Sequence, residues 1–222
     1  MKKRGKVVLV ALAAMLLCGC KTEMVSDVYT ADIFDVENLK TPAVMNIEIS
    51  SCNSKKRPDY EQKVLALFDA FSEAKLMGCS RKSGKSMLSV GFNAEITSEQ
   101  SSADFILYRN LIKSEVSNRY LVKPAFSSKF LKRVDTLLKQ NLQKLNSRDI
   151  RISMVINNDL KGDVLVSARN VWIDGEPIEH YSEVPLSRRG RLIVTLPDVT
   201  SDLIIRDGRP VAFEVMLSKS GG

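Results

Sequence analysis

Residues 43–49 read AVMNIEI, and the near-alternation of apolar residues in this run predicts a β-strand. A helix is expected shortly afterwards, because Asp59 can cap its N-terminus and Gln62, three residues on, completes a capping box. The apolar residues that follow at helical spacing predict a buried stripe: Tyr60, Val64, Leu67, Phe68, Phe71 and Ala74. Gly78 then supplies the left-handed residue that ends a helix. The stretch therefore predicts a strand followed by a helix.

The chain continues with further strands and one more helix. Residues 87–96 and 105–108 are expected to be strands, and 120–122 is a further short candidate. The clearest helix spans residues 128–145, where one face is apolar: Leu131, Val134, Leu137, Leu138, Leu142 and Leu145. Residues 150–156 are strand-like again. The order strand, helix, strand, strand, helix, strand predicts an α+β domain over residues 42–158 with the split βαβ, ferredoxin-like arrangement.

The C-terminal part of the chain has a different pattern, with short β-type runs and no helical periodicity. Two dipeptides, Asp174-Gly175 and Asp207-Gly208, are strong turn signals between pairs of these runs. We therefore expect residues 159–217 to form an antiparallel β unit, either a small sandwich or an extension of the first sheet. The last five residues, 218–222, are expected to be a loose tail. The β-type runs lie at residues 164–168, 171–173, 192–196, 203–206 and 211–217.

The N-terminus has the organisation of an export signal. Residues 1–6 read MKKRGK, and an unbroken apolar run follows from Val7 to Leu17. A bilayer-spanning helix needs about 20 apolar residues, so this run is too short for a permanent anchor and suits a secretory signal. The run ends in Leu17-Cys18-Gly19-Cys20, which resembles the lipobox of bacterial lipoproteins; Cys18 stands where Ala or Ser is usual.

The resemblance implies a series of modifications at Cys20. Its thiol receives a diacylglycerol, a signal peptidase cuts after Gly19, and the new amino group is acylated, so the covalent lipid is the only cofactor expected. Several acyl chains anchor a protein stably, whereas one chain binds only marginally. Residues 1–19 are then the signal peptide and 20–41 a lipidated N-terminus and tether. Lys21 favours the outer over the inner membrane; an ordinary secretory signal with a fortuitous cysteine is the alternative.

Charge and cysteine content follow from this processing. Four cations lie in the signal, so cleavage lowers the formal net charge from +7 to +3 and removes much of the basic excess that would suggest nucleic acid. Cys52 and Cys79 are the cysteines that then remain besides Cys20, and in an oxidising periplasm they are expected to form a disulfide, worth about 3 kcal/mol. Two buried free thiols are the alternative. A metal site is disfavoured because His180 is the only histidine.

No catalytic motif is complete in the chain. Residues 78–86, GCSRKSGKS, have five residues where a phosphate-binding loop needs four before Gly-Lys-Ser, and no Gly-x-Ser-x-Gly elbow occurs. Solvated surface is the simplest interpretation of the basic residues here and on the second helix. They also provide candidate contacts to an anionic headgroup or partner: Arg81, Lys82, Lys85, Lys132 and Lys139.

Further segments resemble uncharacterised lipoproteins of enterobacteria and of their phages and prophages. They are residues 20–23, 27–33, 156–160 and 196–199. The resemblance suggests a context in the cell envelope. The lipid anchor, the stapled α+β body and the absence of a catalytic constellation favour a membrane-anchored, non-enzymatic interaction module at the periplasmic face of a membrane, with an envelope protein as partner. For a phage-encoded lipoprotein, superinfection exclusion or envelope modification is the expected role. The alternatives are an envelope hydrolase with an unrecognised site and a structural accessory of a secretion or conjugation apparatus.

Overall fold

The computed structural model describes residues 22–35, 40–82, 84–113, 118–141, 150–207 and 214–219. These residues form eleven strands and four helices. In chain order they are β1 (Thr22–Tyr29), α1 (Thr30–Asp35), β2 (Lys40–Ile49), α2 (Arg57–Leu65), β3 (Lys75–Lys82), β4 (Lys85–Thr97), β5 (Phe105–Lys113), β6 (Asn118–Phe126), α3 (Ser128–Asn141), β7 (Ile150–Asn157), β8 (Val164–Ile173), β9 (Glu176–Leu186), β10 (Arg191–Thr195), α4 (Asp198–Asp207) and β11 (Glu214–Lys219).

All eleven strands belong to one mixed sheet. The strand order is β10-β7-β1-β2-β4-β5-β6-β11-β8-β9, and β3 pairs with β4 beside this path. Strand β1 is parallel to β7 and β4 is parallel to β5, whereas the other pairs are antiparallel. Strand β10 also forms a short pairing with β8, and this pairing closes the nine strands from β10 to β8 into a ring. The sheet therefore encloses a continuous core.

The core lies on the concave side of this sheet. In strands β1, β2 and β4 every second position is buried and the positions between are half-buried or exposed, because successive side chains of a strand point to opposite faces. Helix α4 contacts both β7 and β6, which lie on opposite sides of the closed path. Aromatic rings from α3, β4, β5, β6 and the segment after α2 pack together, with centroids 4.8–6.0 Å apart: Phe68, Phe92, Phe105, Phe126 and Phe130.

The predicted ferredoxin-like α+β fold is wrong, because the protein is mostly β. Helix α2 ends at Leu65, so the apolar residues after it pack from turns and do not continue a long helix over one sheet face. Gly78 lies in a bulge of β3 with a φ of 123° and ends no helix. Within the β unit expected over residues 159–217, strands β8, β10 and β11 pair into the same sheet as the N-terminal strands, as in the expected extension of the first sheet and not as in a small sandwich.

Two further segments differ from their expected structure. Residues 22–29, assigned to the tether, form β1, which pairs with β2 on one side and β7 on the other. Residues 203–206, predicted as β-type, lie in α4. A short apolar run has no periodicity that separates a strand from a buried helix, and here Ile204 and Ile205 are both buried by tertiary packing.

Several local predictions are confirmed. The runs at residues 87–96 and 150–156 are β4 and β7, and the helix predicted from residue 128 is α3; its expected last turn, 142–145, lies outside the described residues. Asp174 and Gly175 connect β8 to β9 with φ angles of 49° and 91°, the two positive values that a two-residue type I′ turn needs. The disulfide between Cys52 and Cys79 is present.

Candidate functional site

The disulfide fixes the loop after β2 to the edge strand β3. The Cα atoms of Cys52 and Cys79 are 5.6 Å apart, and the bridge closes a loop of 27 residues that contains α2. The helix has no side-chain N-cap, and Pro58 lies in its first turn. Ion pairs between residues four apart support it instead, with 2.6 Å from Arg57 Nε to Glu61 Oε1 and 2.7 Å from Lys63 Nζ to Asp59 Oδ2. The bridge thus holds both ends of a short insertion against the sheet.

Three of the predicted basic contacts meet beside this bridge. Arg81 is exposed near the end of β3, and Lys82 is the register partner of Lys85 at the start of β4. Lys85 Nζ lies 2.8 Å from Glu48 Oε2 on β2, so its charge is paired. The other two predicted contacts, Lys132 and Lys139, lie two helical turns apart on α3. The five predicted cations therefore lie in two separate regions, the connection of β3 to β4 and helix α3.

The predicted lipidation site lies outside the described residues, as does the cleavage position Gly19–Cys20. The first described residue after it is Thr22, which already pairs with Ile47 of β2 and Ile150 of β7. Cys20 is thus separated from the sheet by Lys21 alone. Within the described ranges, none of the helices is long and apolar enough to cross a membrane.

A surface cleft lies between the end of α2 and the start of β3. It has a volume of about 370 Å³ and is lined by Leu65, Phe68, Asp69, Ala70, Glu73, Ala74 and Lys75. Three large apolar side chains close to it in sequence are exposed: Phe71 (36%), Leu76 (37%) and Met77 (64%). We call the cleft together with these three residues the Phe71 cleft. Sequence reasoning missed it, because Phe71 and Ala74 were assigned to the buried stripe of a helix.

Met77 owes its exposure to a β-bulge. The register of β3 on β4 shifts between Leu76 and Gly78, which leaves Met77 as the extra residue of the bulged strand. Its thioether lies over Gly91 of β4, where an added Cβ would stand 3.0 Å from the Met77 sulfur. Because Gly91 has no side chain, the sulfur of Met77 can pack against β4 at this position, while most of the Met77 side chain is exposed to solvent.

Charged groups rigidify one wall of the Phe71 cleft. Lys40 Nζ donates a 2.9 Å hydrogen bond to Glu73 Oε1 and stands 4.6 Å from the centre of the Phe71 ring. Asn93 Nδ2 donates to the other oxygen of Glu73 at 3.0 Å. The hydrogen bond and positive charge of Lys40 lower the pKa of Glu73 below its ordinary value. Glu73 is thus an ionised anchor that fixes its turn, where its own φ is 48°.

A buried carboxylate supports the same segment from below. Asp104, at the start of β5, accepts a 2.6 Å hydrogen bond from the backbone N–H of Asp69 and pairs with Arg133 of α3. Arg133 Nε also donates to the carbonyl of Leu67 at 2.6 Å. Burial raises the pKa of Asp104, and the hydrogen bonds from Asp69 and Arg133 act against that rise. Asp104 and Arg133 together tie the floor of the cleft to the sheet and to α3.

Two segments that carried the lipoprotein resemblance meet at the other end of β1. Asn158 is buried, and its side-chain amide donates to the carbonyls of Leu186 at 2.7 Å and Gly162 at 3.0 Å. Asp159 accepts hydrogen bonds of 2.9 Å from the hydroxyl of Thr30, the first residue of α1, and from the N–H of Ala31, the second. Thr30 and Asn158 are buried and Asp159 is exposed, and the hydrogen bonds of these three side chains connect the ends of β1, β7 and β9.

Two further described residues with titratable side chains are His180 and Asp69. His180, the only histidine, is exposed on β9 with Arg169 of β8 as its register partner. Asp69 accepts hydrogen bonds from the backbone and hydroxyl of Ser72, both at 3.0 Å, as a turn-forming carboxylate does. In the part of the chain that the structure describes, no group of three His, Cys, Asp or Glu residues could hold a metal ion.

The fold and these surfaces define a disulfide-stapled protein, mostly β, with one mixed sheet and an exposed apolar cleft on its flank. Residues 22–218 match the family described as a domain of unknown function, DUF7424, and the chain belongs to this family. No curated protein and no solved structure matches the chain. The matched region begins at Thr22, where β1 begins.

Proposed function

We propose that this protein is a non-enzymatic interaction module, anchored by a lipid on Cys20 to the periplasmic face of a bacterial membrane, the outer membrane by preference. It binds an envelope protein through the Phe71 cleft. The anchor is supported by the signal-like residues 1–19 and the lipobox-like residues 17–20. The disulfide between Cys52 and Cys79 is consistent with a compartment that oxidises thiols.

The observation that carries the binding role is the exposure of Met77 and Phe71 beside a rigid cleft. Aromatic residues and Met are enriched in protein–protein interfaces, so exposed side chains of these types next to a cleft are typical of a binding surface. Lys40, Glu73 and Lys75 supply a charged rim here. Because the turn is held by Glu73 and Asp104, binding would cost little ordering entropy.

The flank also offers backbone groups to a partner. Strand β3 pairs with β4 along one edge, and within the described residues no strand pairs with its other edge. A partner segment in extended conformation can pair with such an edge and place alternate side chains against the neighbouring cleft. The bulge at Met77 limits this pairing to one side of the irregularity, which makes the register of a partner specific.

The anchor is tested by changing single cysteines in the lipobox-like motif. Cys20→Ser should abolish incorporation of labelled palmitate and release the protein from the membrane fraction. Cys18→Ser is the matched control, because the same atom is exchanged two positions away, and it should leave labelling intact. Equal labelling of the two variants, or membrane retention without label, would contradict the anchoring proposal.

The binding role is tested on the lipidated protein in cells. A photoreactive phenylalanine analogue at Met77 should give a discrete crosslinked product, and Phe71→Ser in the same chain should remove it. The same analogue at Ile193, which is exposed to 37% on β10, serves as the control and should give no such product. Identical products from both positions would refute the Phe71 cleft as the binding surface.

A further inference from the structure

Four residues lie in one row across the sheet at the end where the chain enters it. Thr22 of β1 is the register partner of Ile47 of β2, Ile47 that of Leu88 of β4, and Leu88 that of Cys79 of β3. Neighbouring strands are about 4.8 Å apart, so this Cys79 row is about 14 Å long. It places the first residue of the fold and the disulfide at the same height.

The same segments leave the row in the same direction. Strands β2 and β3 run antiparallel to β1, so the residues after Ile49 and after Cys79 extend to the side from which the chain reaches Thr22. Cys20 lies two positions before Thr22, and Arg81 lies two positions after Cys79. Two residues of extended chain span about 7 Å, so Arg81 lies about 7 Å beyond the row, on the side from which the chain reaches Thr22.

This end of the sheet carries positive charge from two chain segments. Lys55 and Lys56 follow Cys52 by three and four positions, Arg81 follows Cys79 by two, and all three side chains are exposed. None of the three forms an ion pair with another described residue. The disulfide joins the two segments, so it gathers the cations on one surface. We call Lys55, Lys56 and Arg81 the basic end.

We infer that the basic end lies against the membrane and binds the phosphate groups of anionic phospholipids, while the lipid on Cys20 holds the protein there. This inference rests on the proposed anchor. Lys21 alone separates Cys20 from β1 in the sequence, so a lipid on Cys20 keeps the end of the sheet that carries the Cys79 row near the bilayer. Each Lys or Arg close to an anionic surface strengthens binding about fivefold, and salt screens the effect. An acidic protein as the ligand of the basic end would be a different outcome of the test.

The test uses the processed chain that begins at residue 20, with Cys20→Ser so that no acyl chain contributes; every described element lies within residues 22–219. Cosedimentation is measured with phosphatidylcholine vesicles, with and without phosphatidylglycerol. Binding should require phosphatidylglycerol and fall steeply as salt is raised. Lys55→Gln with Arg81→Gln should weaken it about 20-fold.

A matched double variant controls for net charge. Lys161 and Arg188 are exposed at the opposite end of β1 and β7, where Asn158 holds their two loops together. Lys161→Gln with Arg188→Gln should change vesicle binding by less than twofold, and thermal unfolding verifies that both variants remain folded. Equal losses in the two pairs would overturn the orientation, because net charge alone would then explain binding.

The remaining outcomes separate this inference from the proposed function. If Cys20 incorporates palmitate but vesicle binding is the same with and without phosphatidylglycerol, the inference that the basic end faces the membrane is wrong, whereas the proposed lipid anchor is supported. Binding that requires phosphatidylglycerol in a protein that never incorporates palmitate would overturn the anchor and leave the basic end as a lipid-binding surface. Loss of the vesicle binding on exchange of Cys52 and Cys79 for Ser is expected, since the bridge joins the two basic segments.

Discussion

Removal of the disulfide should cost a large part of the protein's stability. The bridge between Cys52 and Cys79 closes a 27-residue loop, for which the chain-entropy model gives about 3.5 kcal/mol at 25 °C. The effect arises in the unfolded chain, where the bridge restricts the separation of the two segments. For a protein of this size, a loss of about 3.5 kcal/mol corresponds to a fall of about 7–14 °C in the melting temperature.

The assay is urea unfolding of the oxidised protein, the reduced protein and the variant Cys52→Ser with Cys79→Ser. The reduced protein and the variant should lose the same free energy of unfolding. Both should also have a slightly larger dependence on urea, because a chain without the bridge exposes more surface when it unfolds. Reducing agent added to the double variant is the control and should change nothing.

One result would refute this reasoning directly. If the double variant loses less than about 1 kcal/mol, the restriction of the unfolded chain cannot be the main effect of the bridge. A loss confined to reduction, without a matching loss in the double variant, would point to a second effect of the reducing agent. The urea measurement also serves the vesicle experiment, because it establishes the conditions in which the variant Cys52→Ser with Cys79→Ser is folded.

Three other substitutions test the polar interior. Asn158→Ala leaves the carbonyls of Leu186 and Gly162 without their donor, so it should cost roughly 2–4 kcal/mol in urea unfolding, whereas exposed Asn53→Ala should be neutral. Burial raises the pKa of Asp104 above its value in the unfolded chain, so the contribution of Asp104 to the free energy of unfolding is lost as pH rises through the folded pKa. Asp104→Asn should remove this decrease from free energies of unfolding measured over a series of pH values. An unchanged decrease would contradict the assignment of the pH dependence to Asp104. Ser26→Ala should stabilise the protein by about 1 kcal/mol, since the buried hydroxyl of Ser26 has no partner among the described residues. Ser153→Ala should destabilise the protein, because it removes the 2.9 Å hydrogen bond to Thr195. A lower free energy of unfolding for Ser26→Ala than for Ser153→Ala would contradict this account.

Strand β1 shows why the sheet could not be predicted in full. Its inward positions alternate between small polar and apolar residues, in the order Thr22, Met24, Ser26 and Val28. All four are buried, but a pattern of apolar periodicity counts only two of them. By contrast, β4 repeats six buried positions over thirteen residues, so its strand could be predicted from the sequence alone. Strand β9 has eleven residues and was not predicted either, so the regularity of the apolar pattern decided the prediction more than the length of the strand.

The Phe71 cleft was missed for a different physical reason. Phe71 and Ala74 continue the helical spacing of α2, so local preference favours a longer helix. The helix ends at Leu65 and the chain turns. The backbone N–H of Asp69 then donates a hydrogen bond to Asp104, which lies 35 residues further along the sequence. Contacts between residues so far apart in the sequence cannot be recognised from the local pattern of apolar residues. The disulfide was predictable because exclusion of Cys18 and Cys20 left one pair of cysteines.

The positions of the two proposed surfaces restrict the kind of partner that can reach the cleft. Lys75, which lines the cleft, is the register partner of Gly91, and Gly91 lies three positions along β4 from the Cys79 row. The cleft is therefore about 10 Å above that row, and the basic end is about 7 Å below it. With the basic end against phospholipid, the cleft opens sideways within about 17 Å of the membrane surface. A partner bound there must itself lie close to the bilayer, so a membrane-attached envelope protein fits the geometry better than a freely diffusing one.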